Sequence, residues 1–174
     1  MDLRTIGVIG AGQMGGGIAH VCALSGFDVR LLDLEESRLV EATEKIERDM
    51  HRQASRGKVG DSDVSAALAR ISTSTDYSIF GDCDLVVEAA TEDESIKREI
   101  LKALVPHLSA DALIATNTSS ISITRLAAVT DRPGRFIGMH FMNPVPAMQL
   151  VELIRGIATE QDTFEAVEAL ALAL

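Results

Sequence analysis

Three glycines and an aspartate near the start of the chain have the types and spacing of a dinucleotide site. Gly10, Gly12 and Gly15 form the pattern GxGxxG directly after a short apolar run, and Asp33 ends the next apolar run. Gly10 permits a tight turn, Gly12 lets the backbone approach a pyrophosphate, and Gly15 lets a helix pack closely on a strand. Asp33 is placed to accept hydrogen bonds from a ribose, and its charge disfavours a 2′-phosphate. The pattern predicts an NAD site, with ordinary glycine turns as the alternative.

A histidine and a glutamate later in the chain have the chemistry of a general base. His140 ends an apolar run, and Glu152 follows after an Asn143-Pro144 turn, so that it returns on an adjacent strand. A carboxylate beside one imidazole nitrogen fixes the tautomer and leaves the other nitrogen free to accept an alcohol proton. Hydride transfer from an alcohol to NAD needs such a base. The alternative for His140, which has apolar neighbours, is a buried histidine that is merely hydrogen-bonded.

The elements that must position these residues alternate between apolar runs and helical patterns, which predicts βαβ units. The expected fold class is α/β, a Rossmann-type doubly wound and mostly parallel sheet. The predicted strands are 5–9, 29–32, 70–73, 84–89, 112–116 and 136–140, with a further strand over 150–154 beyond the parallel set. The carboxyl ends of such strands form the ligand-binding edge, where the cluster Asn117 to Ser120 would lie. The alternative for that cluster is a turn with a helix N-cap at Ser120 or Ser122.

Two helical segments interrupt or end this pattern. Residues 35–56 carry apolar side chains at helical spacing, Gly57 is a plausible C-cap, and Asp61 or Ser62 is a plausible N-cap for a second helix through 68. We therefore expect an inserted helical hairpin between the second and third strands. The last helix, over 160–174, ends without a cap, and we expect its apolar face to be exposed.

Composition limits the classes of partner. The 174 residues suit one domain, and 47% hydrophobic with 24% charged residues is ordinary for a soluble globular protein. A net charge of −10 argues against nucleic acid and against an anionic membrane surface. Cys22 and Cys83 are expected to be reduced packing residues, and the absence of a leader or apolar span predicts a cytoplasmic location. No metal site is predicted.

One basic cluster stands out from this acidity, in the stretch HRQASRGK that contains Arg52, Arg56 and Lys58. From the residues alone, a solvated helix end is the favoured interpretation, because basic side chains stabilise the negative end of the helix dipole.

Taken together, the motifs of the chain resemble those of a known family. GAGQMG with Asp33, VVEAATED, TNTSSISIT and GMHFMNPVPAMQLVELIRG are similar to the NAD-binding domain of L-3-hydroxyacyl-CoA dehydrogenases, and most similar to the bacterial 3-hydroxybutyryl-CoA branch. The resemblance covers essentially the whole chain. It implies NAD as cofactor, a short-chain acyl-CoA substrate, a place in fatty acid metabolism such as β-oxidation, and a homo-oligomer.

The resemblance also implies roles for individual residues. His140 would be the catalytic base and Glu152 its orienting partner, with Ser119 and Asn143 near the nicotinamide and the substrate oxygen. The cofactor-binding residues would be Gly10, Gly12, Gln13, Met14, Gly15, Asp33, Glu92, Lys97, Asn117, Ser119 and Asn143. The residues that bind the CoA moiety would be Arg52, Arg56, Lys58 and Ser119. Asp49 departs from the family, since some members have a serine there.

The family has a second, all-helical C-terminal domain that closes the substrate cleft and forms the dimer, and we expect residues 1–174 to be the NAD-binding domain without it. Two alternatives stay open. One is a β-hydroxyacid dehydrogenase acting on free acids, in which the His140 and Glu152 pair has no role. The other is a non-catalytic NAD-binding fragment.

Overall fold

A seven-stranded sheet forms the centre of the structure, a computed structural model that describes residues 2–174. The strands are β1 (Thr5–Ile9), β2 (Asp28–Leu32), β3 (Ile71–Ser74), β4 (Leu85–Glu88), β5 (Leu113–Thr116), β6 (Phe136–Phe141) and β7 (Val151–Arg155). The helices are α1 (Gln13–Leu24), α2 (Glu36–Ser55), α3 (Asp61–Ala69), α4 (Glu94–Leu104), α5 (Ile123–Ala127) and α6 (Gln161–Ala173). Each predicted strand is present within one or two residues of its expected bounds.

The strand order is β3-β2-β1-β4-β5-β6-β7, and the first six strands are mutually parallel. The order reverses between β1 and β4, which is the switch point at which doubly wound sheets bind ligands. Strand β7 lies beyond the parallel set and runs antiparallel to β6. The predicted α/β, Rossmann-type fold is therefore confirmed.

Two apolar cores cover the two faces of the sheet, because the parallel strands are apolar at successive positions and point alternate side chains to opposite faces. Val8 and Leu31 join the core that packs under α1, α2, α3 and α6. Ile9 and Leu32, one residue further along the same strands, join the core under α4 and α5. The sheet is thus buried on both faces, and only its edges and strand ends are open to ligands.

The predicted helical hairpin is formed by α2 and α3, which contact each other and α1. Gly57 has a φ of +70°, as a glycine that ends a helix usually does. The predicted N-cap at Asp61 or Ser62 is wrong, because both residues already lie in the first turn of α3. Gly60 is the N-cap, and its N–H donates to the carboxylate of Asp63 at 3.3 Å.

The expected exposure of the last helix is also wrong. Val167 and Leu170 on α6 are 0% and 3% exposed, and Phe164 and Leu174 pack beside them against the same core. This face is covered by β6 and β7, both of which α6 contacts. The helical pattern of the sequence shows which face of α6 is apolar but not that the sheet extends far enough to cover this face.

No helix within residues 2–174 is both long enough and apolar enough to cross a membrane. Cys22 and Cys83 are buried and unpaired, and burial raises the pKa of each thiol to about 12. Their prediction as packing residues is confirmed.

Gly17 on α1 makes room for the loop that follows β6. A Cβ at Gly17 would lie 2.8 Å from Cβ of Val145, whereas a Cβ at Gly16 would meet only Cβ of Ala42 at 3.9 Å. We expect Gly17→Ala to lower the free energy of unfolding by about 1–3 kcal/mol, because it overpacks this contact. Gly16→Ala is the matched control and should be neutral or stabilising by up to about 1 kcal/mol, since alanine favours helix. Equal effects of the two substitutions in urea unfolding would contradict the close contact.

Candidate active site

The turn between β1 and α1 has the geometry that the glycine pattern predicts. Gly10 has a φ of +97°, and its N–H donates to the carbonyl of Leu32 at 2.7 Å. A Cβ on Gly15 would lie 1.8 Å from the carbonyl oxygen of Gly10, so only glycine lets α1 pack this close to the end of β1. A Cβ on Gly12 would meet nothing within 4 Å, which shows that this part of the turn faces open space.

Asp33, directly after β2, holds the turn from the side. One carboxylate oxygen accepts the N–H of Ala11 at 2.9 Å, and the other accepts the N–H of Glu35 at 3.1 Å. The side chain is half-buried beside the turn, and an ionised carboxylate has lone pairs left to accept hydrogen bonds from ribose hydroxyls.

His140 and Glu152 face each other across the β6–β7 pair, where they are direct partners in the antiparallel register. Nδ1 of His140 lies 2.7 Å from Oε2 of Glu152, and Nε2 lies 3.1 Å from Oγ of Ser119. Because an ionised carboxylate can only accept, Nδ1 carries the proton and donates to Glu152. Nε2 is then the basic nitrogen, and the Ser119 hydroxyl donates to it.

Glu92 organises the loop after β5. Its Oε1 accepts the Thr118 hydroxyl at 2.6 Å and the N–H of Ser119 at 2.9 Å. Burial raises the pKa of Glu92, but these hydrogen bonds and the charge of Lys97 outweigh burial, so that its pKa is lowered overall. Glu92 therefore stays ionised at neutral pH and keeps Ser119 beside His140.

These groups line one cleft, which we call the cofactor cleft, of about 600 Å³ at the carboxyl ends of β1, β4, β5 and β6. Its lining residues are Gly12, Gln13, Met14, Ala89, Ala90, Thr91, Glu92, Asn117, Ser119, His140, Phe141, Met142 and Asn143. A second space of about 340 Å³, the hairpin cavity, lies between α1, α2 and the segment 143–146. Gly12, Gln13 and Asn143 line both, so the two spaces adjoin.

The residues of the cofactor cleft fit a dinucleotide. Gly12 is the N-cap of α1, and within the described residues no side chain caps this helix. The N–H groups of its first turn are therefore free for phosphate oxygens, which also gain from the helix dipole. Asp33 lies outside the lining of the cleft and contacts the turn through the N–H of Ala11, whereas His140 and Ser119 line the cleft itself.

Not every predicted site residue reaches the cleft. Lys97 is 0% exposed and contacts Glu88, Thr116 and the carbonyl of Asn117, so its side chain does not line the cleft, and its contact with the cofactor stays a prediction. Asn117 does line the cleft, and its Oδ1 accepts the N–H of Phe141 at 2.9 Å.

The basic cluster lies at the end of the hairpin. Arg52, Arg56 and Lys58 are exposed, and none of them lines either space. Arg52 pairs with Asp49, which does line the hairpin cavity together with Lys45. Within residues 2–174 neither Arg56 nor Lys58 has an ion-pair partner.

Sequence reasoning assigned no individual role to two contributors. Thr118 binds Glu92 and also accepts the N–H of Ile121 at 3.1 Å, while Ser122 takes the N-cap of α5 that was one of the alternatives for this loop. Glu88 is fully buried at the end of β4. A glutamate closing an apolar strand is a signal of a buried partner, and no local pattern identifies Lys97 as that partner.

The fold and the site together define a Rossmann-type dinucleotide-binding domain with a Ser-His-Glu constellation in its cleft. Comparison with known proteins agrees: the family profile described as "3-hydroxyacyl-CoA dehydrogenase, NAD binding domain" matches residues 5–174. The chain belongs to this family, and its cofactor is NAD.

Individual relatives are similar over nearly the whole chain. A 3-hydroxybutyryl-CoA dehydrogenase of Bradyrhizobium diazoefficiens is 55% identical over 94% of this chain and 56% of its own length. A fatty acid oxidation complex subunit alpha of Idiomarina loihiensis is 40% identical over 99% of this chain and 24% of its own length. The crystal structure of an (S)-3-hydroxybutyryl-CoA dehydrogenase from Ralstonia eutropha has a TM-score of 0.96 and 46% identity, over 99% of this chain and 61% of that one. The chain thus spans 56% and 61% of the lengths of these two 3-hydroxybutyryl-CoA dehydrogenases.

His20 in the wall of the hairpin cavity makes stability depend on pH. It is 1% exposed, its Nε2 lies 3.2 Å from Oε1 of Gln53, and burial lowers its pKa from 6.5. Below pH 6.5 the unfolded chain takes up a proton at this residue before the folded chain does, so the free energy of unfolding falls as pH falls. Urea unfolding of the wild type and of His20→Gln, measured about every half pH unit between roughly pH 5 and 7, checks this. We expect the free energy of unfolding to fall more steeply with falling pH in the wild type than in His20→Gln, and only below pH 6.5. Parallel curves of the two proteins would contradict this.

Proposed function

We propose that this chain carries the NAD site and the general base of an L-3-hydroxyacyl-CoA dehydrogenase that acts on short acyl chains such as 3-hydroxybutyryl-CoA. The reaction is the reversible oxidation of the 3-hydroxyl group to a ketone. The observation that carries the proposal is the 2.7 Å contact between Nδ1 of His140 and Glu152 at the mouth of a dinucleotide cleft. This contact favours the proposal over a β-hydroxyacid dehydrogenase and over a non-catalytic NAD-binding fragment, because neither alternative uses the pair.

The residues act in a fixed order in this proposal. The glycine turn and Asp33 orient the dinucleotide, which when bound supplies the hydride acceptor or donor. Nε2 of His140 takes the proton of the 3-hydroxyl, the C3–H bond breaks with its electron pair, and the C=O bond forms. Glu152 stabilises the resulting imidazolium. Ser119, which donates to Nε2 in the structure, turns its hydroxyl to the substrate oxygen, and Asn143 borders the same space.

The acyl-CoA would approach from the side of the hairpin. The hairpin cavity adjoins the cofactor cleft and leads towards the end of α2, where Arg52, Arg56 and Lys58 are exposed. We propose that these cations meet the CoA phosphates, because they form a local basic patch on a chain of net charge −10. Asp49, which pairs with Lys45 and Arg52, lines this cavity together with Glu41 and Lys45.

The proposal extends to setting and assembly. The buried, unpaired Cys22 and Cys83 suit a reducing, cytoplasmic compartment. The net charge of −10 supports the absence of nucleic acid and of anionic membranes among its partners. By likeness to its family, the protein is proposed to work as a homo-oligomer in fatty acid oxidation.

Asp33 should set the preference for NADH over NADPH. We expect Asp33→Ala to weaken NADH binding by about 1.5–3 kcal/mol, the range for hydrogen bonds to a charged group, and to improve NADPH binding relative to NADH. Asp33→Asn is the matched control, because it keeps the size of the side chain and one acceptor oxygen while it removes the charge and the other acceptor. Titration by NADH fluorescence measures both affinities. Tighter binding of NADPH than of NADH by the wild type would contradict the assignment.

His140 should be needed for turnover and not for cofactor binding. In a version that carries the family's C-terminal domain, we expect His140→Gln to lower acetoacetyl-CoA-dependent oxidation of NADH by about 10²–10⁴-fold with NADH affinity nearly unchanged, because the general base is lost. Glu152→Gln should also slow turnover, since it removes the charge that stabilises imidazolium. His107→Gln is the control for the loss of one histidine, because His107 is exposed and lines neither the cofactor cleft nor the hairpin cavity. If the wild type with the family's C-terminal domain binds NADH but does not oxidise it with acetoacetyl-CoA, the non-catalytic alternative is favoured. If His140→Gln unfolds while activity per folded molecule persists, His140 is a core histidine.

A further inference from the structure

A fully buried ion pair lies beneath the cofactor cleft. Glu88, the last residue of β4, and Lys97, on the first turns of α4, are both 0% exposed, and Nζ of Lys97 contacts Oε2 of Glu88. Nζ also contacts Oγ1 of Thr116 at 3.3 Å and the carbonyl oxygen of Asn117 at 3.0 Å. All three ammonium hydrogens therefore have acceptors, and none points to solvent.

Both oxygens of the Glu88 carboxylate also have hydrogen-bond partners. Oε2 of Glu88 accepts the hydroxyl of Thr116 at 2.7 Å, and Oε1 accepts the N–H of Ala90 at 2.9 Å. Stability does not explain such a pair, because well-packed apolar residues in place of a buried ion pair are often neutral or stabilising. The pair does tie together the carboxyl ends of β4 and β5, where the cleft begins.

Asn117 connects this pair to the strand that carries the proposed base. The ladder between β5 and β6 ends at the partners Thr116 and Gly138, two residues before His140. Beyond that point two side chains link the loop after β5 to β6: Oδ1 of Asn117 accepts the backbone N–H of Phe141 at 2.9 Å, and Oγ of Ser119 lies 3.1 Å from Nε2 of His140. The backbone carbonyl of the same asparagine is the one that Lys97 holds.

We propose that Lys97 is a positioning residue: paired with Glu88, it fixes the backbone of Asn117, and through the Asn117 side chain it fixes the segment of β6 that presents His140 to the cleft. The inference rests on the proposed function for its effect on turnover. Its structural half, the relay from Lys97 through Asn117 to the Phe141 N–H, stands independently of any activity. The role differs from a cofactor contact, because Lys97 is 0% exposed and does not line the cofactor cleft.

The test is a double substitution that removes both charges together. Glu88→Gln with Lys97→Met leaves no unpaired buried charge, keeps a side-chain oxygen for the Ala90 N–H, and changes side-chain volume little. We expect hydrogen exchange at the Phe141 amide to accelerate by about tenfold relative to amides of β1, because one hydrogen bond loses its support. With acetoacetyl-CoA and NADH, kcat should fall by about 10–100-fold, as expected when a base is misplaced. The Kd for NADH should change less than about threefold, because no direct contact is lost.

The matched control is Lys102→Met, the same chemical change on an exposed lysine of the same helix, which pairs only with Glu99. It should alter neither Phe141 exchange nor turnover. If the double variant does not fold, Asn117→Leu tests the second link without a buried charge, and acceleration of Phe141 exchange is again expected.

Three results would overturn the inference. The first is unchanged Phe141 exchange in the double variant or, if that variant does not fold, in Asn117→Leu. The second is turnover of the double variant equal to that of an active wild type. The third is a loss of NADH affinity as large as the loss of kcat, which would mark Lys97 as a cofactor contact. A wild type that carries the family's C-terminal domain and binds NADH but is inactive would instead contradict the proposed function, and Phe141 exchange would still decide the relay.

Discussion

The chemistry of this domain depends on one constraint, that six parallel strands end on a common edge of the sheet. Backbone hydrogen bonding sets the strands side by side, so residues separated by more than a hundred positions reach the same cleft. Gly12 arrives from β1, Ser119 from β5 and His140 from β6. The two apolar cores hold the sheet from both faces, which leaves the strand ends as the place for polar groups.

The site binds an anion without a cation in its lining. No lysine or arginine lines the cofactor cleft within residues 2–174, and Glu92 adds a negative charge to its wall. The attraction for phosphate comes instead from the N–H groups and dipole at the start of α1, to which glycines give close access. This explains how a chain with a net charge of −10 belongs to a family that binds a dinucleotide.

Buried polar groups near the cleft are paired throughout. No buried side-chain nitrogen or oxygen of residues 2–174 lacks a hydrogen-bond partner. Because an unpaired polar group costs most in a low-dielectric interior, such networks have few alternative arrangements. Two of these networks contact residues that face the cleft. Glu92 accepts hydrogen bonds from Thr118 and from the N–H of Ser119, and Lys97, paired with Glu88, donates to the carbonyl of Asn117.

The sequence by itself determined the alternation of strands and helices, the glycine turn, Asp33 and the pair His140 and Glu152. These features are local or repeat at short spacing, and the antiparallel return through Asn143 and Pro144 places Glu152 opposite His140. Local patterns do not report which distant side chains meet.

Only the tertiary structure showed that Lys97 is buried against Glu88 and that β6 and β7 cover α6. It also placed the N-cap of α3 at Gly60, whose N–H donates to the carboxylate of Asp63. In each case the deciding energy came from burial and hydrogen bonding across the sheet or between neighbouring turns, which depends on the packed fold more than on the residue types in any one segment.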